Sequence, residues 1–235
     1  MSYRATQEDI LSLHTDAAAV SVEISLEISP FPVCRALAAA GGEALAAAIK
    51  SKSFIPVGSA VEVDACGLPF AHLFAVAAPI WLTGKANELL ALHRSYESLF
   101  AAAEQAGCGS LALPFLSAMR YRFPQEEAVK IAFTEAGKTA LDAVFVADTP
   151  ELYALSRQPY RKPKIVSYIG WYRDHALFEL DNGQYARVDI RPEITDVTPI
   201  PYFEACFRTG NNPLQPPLPE SEIERLRRIY EENDW

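Results

Sequence analysis

Short apolar runs alternate with longer segments of helical spacing over the first two thirds of the chain. The run AAAVSVEIS, from Ala17 to Ser25, and the run LDAVFVA, from Leu141 to Ala147, have the length and composition of buried strands. Further strands are predicted at 59–63, 71–78 and 110–115, and helices at 33–50, 86–106, 125–136 and 148–155. Because strands and helices alternate, the pattern predicts an α/β fold with a largely parallel sheet and helices on both faces.

Two local signals refine the predicted helices. The segment Val33 to Lys50 is rich in alanine, the residue with the highest helix propensity, but the pair Gly41-Gly42 should break or bend it into two pieces. Farther along, the run Asp148-Thr149 places a capping side chain directly before a proline, which starts the helix that continues through residue 155.

The pattern changes after residue 158. The segment QPYRKPK has the composition of a linker, and beyond it the apolar positions recur with a period of two. Strands are predicted for IVSYIGWY, HALFELDNG and QYARVDI, with a hairpin turn at Asp181-Asn182-Gly183. After a Pro-rich loop, Ser221 is predicted to cap a final helix with one apolar stripe.

This change of pattern predicts two parts, residues 1–158 as the main domain and residues 159–235 as a C-terminal extension with a β-hairpin and a helix. A hairpin and one helix bury too little apolar surface to be stable alone. We therefore expect the extension to dock on the first domain.

Composition and charge exclude several classes of function. Hydrophobic residues make up 50% of the chain and the formal net charge is -9, with no long Lys/Arg run, so duplex DNA or RNA is not an expected partner. The N-terminal segment lacks the pattern of a signal peptide, and the most apolar run is interrupted by His72 and two prolines, so we expect a cytoplasmic protein without a membrane partner. The four cysteines form no CxxC pair and the four histidines have no partner at metal-ligand spacing, so neither a metal nor another cofactor is predicted.

Two longer stretches resemble the macrodomain family, whose members bind ADP-ribose and sometimes hydrolyse its linkages. The stretch PVCRALAAAGGEALAAAIKSKSFIPVGSAVEVDACGLPFAHLFAVAAPIW is similar to the family's first helix, its Gly-led strand and the strand that ends in a proline. The stretch SLALPFLSAMRYRFPQEEAVKIA resembles the strand, second phosphate loop and following helix. The resemblance implies a three-layer α/β/α sandwich with a mixed, largely parallel sheet.

The resemblance also implies roles for residues near the N-terminus. Asp9 and Ile10 fall where the family has an Asp-Ile pair that reads the adenine, and Val20 and Glu23 fall where family hydrolases have asparagines. A partly buried carboxylate can have a raised pKa and act as a general base, which makes Glu23 the candidate catalytic residue. The alternative is that Glu23 is a solvated residue near a strand end.

The two loops that contact phosphate in the family are altered here. In place of the family's glycine run stands Ser29-Pro30-Phe31-Pro32, and proline has no N–H, so this loop cannot form the family's anion-binding nest. The N-terminus of the helix at Val33 would still favour an anion.

The second loop has also lost its glycines. Tyr121 matches the aromatic position over the distal ribose, while Arg120 and Arg122 either hold a phosphate or carboxylate through forked hydrogen bonds or form surface ion pairs. The aromatic residue that stacks on adenine is missing, because Ala147 and Asp148 stand there. The predicted ligand-binding residues are Asp9, Ile10, Val33, Ser117, Ala118, Met119, Arg120, Tyr121 and Arg122.

Two functional hypotheses follow from these features. The first is a divergent macrodomain-like protein whose crevice recognises an ADP-ribosyl or related anionic nucleotide-derived ligand, with weak hydrolysis of an ADP-ribosyl bond as its chemistry. The second is a non-catalytic interaction module, antitoxin-like, immunity-like or regulatory, that has lost ADP-ribose binding and binds a protein partner. Asp9, Tyr121 and the paired arginines favour the first hypothesis, and the loss of both glycine loops favours the second.

Overall fold

The computed structural model describes residues 2–82, 87–119, 123–158, 164–172, 174–181, 185–191, 197–200 and 217–232. The chain divides into two compact units. The first comprises residues 1–81 with 87–160, and the second comprises residues 82–86 with 161–235.

The first unit is built on a mixed, mostly parallel sheet. Its strands within the described residues are β1 (Ser2–Thr6), β2 (Ala17–Ser21), β3 (Ser59–Val63), β4 (His72–Ala77), β5 (Ser110–Pro114) and β6 (Asp142–Val146). Their order across the sheet is β1-β6-β5-β2-β4-β3, and only β3 runs antiparallel to its neighbour among these strands. The carboxyl ends of the five parallel strands therefore meet at one edge of the sheet, which we call the carboxyl edge. Open α/β sheets bind their ligands at this edge.

Helices cover both faces of this sheet. They are α1 (Pro32–Lys50), α2 (Glu88–Gln105), α3 (Gln125–Ala136) and α4 (Pro150–Ser156). Along the central strand β2, Ala17 and Ala19 pack into the core cluster that contains residues of α2 and α3, whereas Ala18 and Val20 pack into the cluster that contains residues of α1. Because alternate strand residues point to opposite faces, both faces are buried. The predicted three-layer α/β/α fold is confirmed.

Helix α1 is bent where the sequence predicts. Gly42 has φ 57° and ψ -151°, a non-helical conformation that interrupts the helix. Among the described helices, α1 alone is long and apolar enough to cross a membrane by length and composition. Its residues Leu37, Leu45 and Ile49 are fully buried in the core of the first unit, and core helices share this composition with membrane spans.

Two features at the N-terminal end of the chain differ from the sequence-based expectation. Strand β1 is not predicted, because its five residues, SYRAT, contain neither an apolar run nor a second β-branched residue, and Tyr3 and Arg4 are exposed. The strand expected to extend to Ser25 ends at Ser21. The chain turns back there, and an antiparallel bridge joins Val22 to Ile28.

The second unit contains an antiparallel sheet and a helix. Its described strands are β7 (Ile165–Tyr172), β8 (His175–Leu180), β9 (Tyr185–Asp189) and β10 (Val197–Ile200), in the order β10-β9-β8-β7, and its helix is α5 (Glu220–Glu232). The predicted apolar stripe of α5 packs through Leu226 and Tyr230 against residues of β8 and β9. Ser221 lies inside α5 rather than before it, so its prediction as the capping residue is wrong, and β10 was not predicted.

Candidate functional site

The loops that follow β1, β2, β5 and β6 all leave the sheet at the carboxyl edge. They carry Asp9, Glu23, Ser117 and Asp148 in that order. The first three are predicted site residues, and the topology brings their loops to the same edge.

Asp9 and Ile10 form a short turn directly after β1. The Asp9 carboxylate is exposed and caps a single 3-10 turn, Ile10–Ser12, by accepting a hydrogen bond of 3.0 Å from the N–H of Leu11 to Oδ1. The Ile10 side chain is buried in the core cluster that includes α1. A carboxylate has room for further donors, so Asp9 can accept from a ligand while it caps this turn.

Glu23 is held in a tight hairpin after β2. Its N–H donates to the carbonyl of Glu27 at 2.8 Å, and its own carbonyl accepts from the N–H of Leu26 at 2.9 Å. The hydroxyl of Ser29 lies 3.3 Å from Glu23 Oε1, to which it can donate, and 3.2 Å from Ser21 Oγ. Both serines are buried while Glu23 is half-buried, so the buried hydroxyl of Ser29, which also contacts Ser21, lies against a partly accessible carboxylate.

Val20, like Glu23, falls where the resemblance implies an asparagine of the family hydrolases, and it is fully buried. Its side chain packs in the core cluster on the α1 face of the sheet. An aliphatic side chain in that position has no polar group with which to orient a ligand or a water molecule.

The N-terminus of α1 also lies at the carboxyl edge, and its first amide is occupied. The capping position, Phe31, provides no side-chain acceptor, and Pro32 has no N–H. The next amide, that of Val33, donates a hydrogen bond of 2.9 Å to Oδ1 of Asp148, a residue 115 positions away in the sequence. The anion position that the sequence predicts at Val33 therefore holds a carboxylate of the same chain.

Partial burial raises the pKa of Asp148. The hydrogen bond from Val33 and the charge of Arg35 act in the opposite direction and lower it. The direction of the net shift shows that removal from water outweighs these two favourable contacts for the charged form.

The loop after β5 is fixed by buried hydrogen bonds. Ser117 adopts a left-handed backbone with φ 63°, and its buried hydroxyl donates to the carbonyl of Pro79 at 2.6 Å. The N–H of Leu116 donates to the hydroxyl of the fully buried Tyr96 at 2.9 Å, and the N–H of Ala118 donates to the carbonyl of Phe115 at 3.4 Å. Two amides of this loop therefore bind groups of the protein itself.

The remaining predicted residues of this loop are Met119 and the three that follow it. Met119 is half-buried, and its sulfur accepts from the side-chain amide of Gln125 at 3.7 Å. Arg120, Tyr121 and Arg122 lie outside the described residues, so their roles stay predictions from the sequence.

Sequence reasoning placed Ser29 and Asp148 in loops of this site but missed their contacts with Glu23 and Val33, and it did not identify Ser21. The sequence assigns the capping of α4 to the run before Pro150, and the structure assigns it to Thr149, whose Oγ1 accepts from the N–H of Leu152 at 3.2 Å. Asp148 is therefore available to α1. The signal that could have identified it is an acidic residue placed directly after a buried parallel strand, at the edge where ligands bind.

A metal site is not part of this arrangement in the portion of the chain that the structure describes. Within those residues, no group of three or more His, Cys, Asp or Glu side chains is placed to hold a metal ion. The chemistry available at the carboxyl edge rests on carboxylates, hydroxyls and backbone amides.

Comparison with known proteins gives a consistent result for the first unit. Residues 30–132 match the sequence model of the Macro domain family. A macro domain-containing protein of Mesorhizobium japonicum is 28% identical over 163 residues, which cover 66% of this chain and 92% of that protein. The O-acetyl-ADP-ribose deacetylase of Escherichia fergusonii is 34% identical over 116 residues, which cover 48% of this chain and 63% of that protein.

Solved structures show the same fold. The macrodomain of Oceanobacillus iheyensis with ADP aligns with a TM-score of 0.61 at 18% identity, and the alignment covers 66% of this chain and 87% of that chain. The family match begins just before α1 and ends within α3, so it includes the altered loops at Val33 and Ser117.

Proposed function

We propose that the carboxyl edge of the first sheet recognises an ADP-ribosyl group or a related anionic nucleotide-derived ligand, because residues 30–132 match the Macro domain family, a family of ADP-ribose-binding domains. The observation that carries the proposal is the N–H of Val33, which lies at this edge and binds an anionic oxygen at 2.9 Å. Helix N-termini favour anions because their amides and dipole present positive charge.

Asp9 supplies the second element of recognition. Its carboxylate is exposed at the end of β1, and its capping bond to Leu11 uses one lone pair of one oxygen. The remaining lone pairs suit the exocyclic amino group of adenine, which is a hydrogen-bond donor. Asp9 and the α1 N-terminus then recognise the two chemically different ends of an adenine nucleotide.

Calorimetric titration with ADP-ribose and AMP tests this proposal. Binding to the wild-type protein should weaken in Asp9→Ala, because the adenine amino group loses its acceptor. Asp64→Ala is the matched control, since Asp64 caps the N–H of Cys66 at 2.7 Å in the same local manner but follows β3 at the opposite edge. Absence of heat from both ligands, or equal loss in both variants, would contradict the proposal.

We further propose that Glu23 acts as a general base if the bound ADP-ribosyl group is hydrolysed. The Glu23 carboxylate takes a proton from water while the water oxygen forms a bond to the anomeric carbon. The bond from that carbon to the leaving oxygen of the modified protein breaks, and its electron pair stays on that oxygen. General-base groups contribute about 100-fold or more to such rates. Glu23→Gln should therefore slow release of ADP-ribose from an ADP-ribosylated protein by about that factor. Glu27→Gln, an exposed glutamate in the same hairpin, should not; unchanged turnover in Glu23→Gln removes Glu23 from this role.

A second candidate function is a protein-interaction module without ligand binding. It is favoured by the internal use of amides at the second altered loop, since the N–H groups of Leu116 and Ala118 both bind groups of this chain. Silence in the calorimetric titrations with wild-type protein would leave this function ahead of the first.

A further inference from the structure

The N-terminus of α1 is bound by the side chain of Asp148, which does not cap the helix that follows it in the chain. Asp148 lies between β6 and α4, and α4 is capped by Thr149 instead. The Asp148 carboxylate reaches the N–H of Val33, which is the first amide that α1 offers because Pro32 has none. An internal anion thus binds where a helix N-terminus otherwise accepts one from a ligand.

We infer that Asp148 is a specificity-determining residue of this site: its carboxylate occupies the anion position at the N-terminus of α1, so that a ligand diphosphate binds there only by displacing it. The inference rests on the proposed function. It adds that Asp148 lowers the affinity of the wild-type site for ADP-ribose and other diphosphate-bearing ligands without abolishing their binding, and that this one side chain sets the reduction.

Two physical costs oppose a diphosphate at this position. A phosphate beside an ionised carboxylate suffers like-charge repulsion, which weakens its binding. The phosphate must also take the N–H of Val33 from Asp148, which breaks a charge-assisted hydrogen bond. Arg35 offsets part of the negative charge but is exposed, so its contribution is screened by solvent.

Two substitutions of Asp148 separate the effect of its charge from the effect of its hydrogen bond to Val33. Asp148→Asn removes the charge but keeps an oxygen that accepts from Val33, whereas Asp148→Ala removes both. The affinity for ADP-ribose, measured by calorimetric titration, should increase from wild type to Asn to Ala, with the Ala variant at least about tenfold tighter than wild type. Glu151→Gln is the matched control. Glu151 is an exposed acidic residue three positions after Asp148, and its substitution removes the same charge. Its affinity should equal that of the wild type.

The outcomes distinguish this inference from the proposed function. If the wild type binds ADP-ribose and both Asp148 variants bind it with equal or lower affinity, the inference is overturned and the proposed function stands. Binding seen only in the Asp148 variants supports the inference and contradicts ADP-ribose recognition by the wild type. Absence of binding in every protein overturns both, and an equal gain in Glu151→Gln overturns the inference by assigning the effect to net charge. Thermal unfolding of each variant establishes whether it is folded. If the Ala variant does not fold, the near-isosteric Asn variant still provides the test.

Discussion

Ser117 combines a left-handed backbone with a buried hydroxyl. This conformation costs a residue with a Cβ about 1 kcal/mol of folding free energy, whereas glycine adopts it freely. The hydrogen bond from its Oγ to the carbonyl of Pro79 stabilises the folded state by a similar amount, about 1 kcal/mol, and so offsets this cost. The bond also ties the loop after β5 to the segment after β4, so the serine fixes the second altered loop at the carboxyl edge.

Substitutions at Ser117 should reverse the usual ranking of alanine and glycine. Ser117→Ala loses the hydrogen bond and keeps the strained backbone, so its free energy of unfolding should fall by about 1–2 kcal/mol. Ser117→Gly loses the same bond but relieves the strain, so it should be about 1 kcal/mol more stable than the Ala variant. Urea denaturation measures both; an Ala variant at least as stable as the Gly variant would contradict this account.

Asp16 joins strands at the opposite edge of the sheet. Its Oδ2 accepts from the N–H groups of Gly109 and Ser110, at 2.8 and 3.0 Å, and from the Ser110 hydroxyl at 3.0 Å. The hydrogen bond from Gly109 is the largest cause that lowers the pKa of Asp16 below its ordinary value. These bonds hold the start of β5 against the start of β2.

The lowered pKa of Asp16 predicts a pH-dependent contribution to stability. The folded state binds the proton less tightly than the unfolded state, so the contribution is present above the unfolded pKa of about 4 and is lost as the pH falls through the folded value. The urea midpoint of the wild type should exceed that of Asp16→Asn at neutral pH, and the difference should shrink below about pH 4. Glu43→Gln, an exposed site on α1, serves as the control. A difference that stays constant with pH would rule out this role.

At the scale of elements, the bend in α1 has a local cause. Gly42 adopts φ 57° and ψ -151°, a combination that residues with a Cβ avoid. At the neighbouring Gly41, an added Cβ would lie 2.7 Å from the Cβ of Leu45, which is closer than side chains approach. Both glycines are therefore required for different reasons, one by the backbone and the other by packing.

This cause predicts that alanine at position 42 destabilises the helix although alanine is the better helix former. Gly42→Ala should lower the free energy of unfolding by about 1–3 kcal/mol, because the substituted residue is strained. Ala44→Gly, at an exposed helical position of the same element, should cost about 1 kcal/mol through propensity alone. Chemical denaturation of the two variants provides the comparison, and a stabilised Gly42→Ala protein would show that the bend is not fixed.

At the scale of the whole molecule, each compact unit has its own core. The first unit buries both faces of its sheet. The second buries an apolar cluster between its antiparallel sheet and α5, and a smaller cluster formed by Leu177 and Tyr185. The second unit contains four described strands, more than the hairpin on which the docking argument from sequence rested. Docking of this unit on the first stays a prediction.

Docking would couple the unfolding of the two units. Differential scanning calorimetry of the full chain should then give one transition whose van't Hoff and calorimetric enthalpies agree. The second unit is small enough that the loss of docking should lower its stability markedly. Two resolved transitions, or a van't Hoff enthalpy well below the calorimetric value, would indicate that the units unfold independently.

The sequence by itself determined the fold class and, apart from β1, the strands and helices of the first unit. Apolar periodicity reports burial within a segment, so the covered strands β4 to β6, the helices, and the bend at Gly42 all follow from local pattern. Strand β1 was not predicted because its short sequence, SYRAT, has no apolar run that would indicate burial.

The tertiary structure alone decided the chemistry of the candidate site. The contact between Val33 and Asp148 joins residues 115 positions apart, and its formation depends on which loops the strand order brings to one edge. Even the shorter contact between Glu23 and Ser29 depends on a hairpin that apolar periodicity does not encode. Hydrogen bonds between loops leave no periodic trace in the sequence, because each requires one or two polar side chains at isolated positions and no repeated pattern.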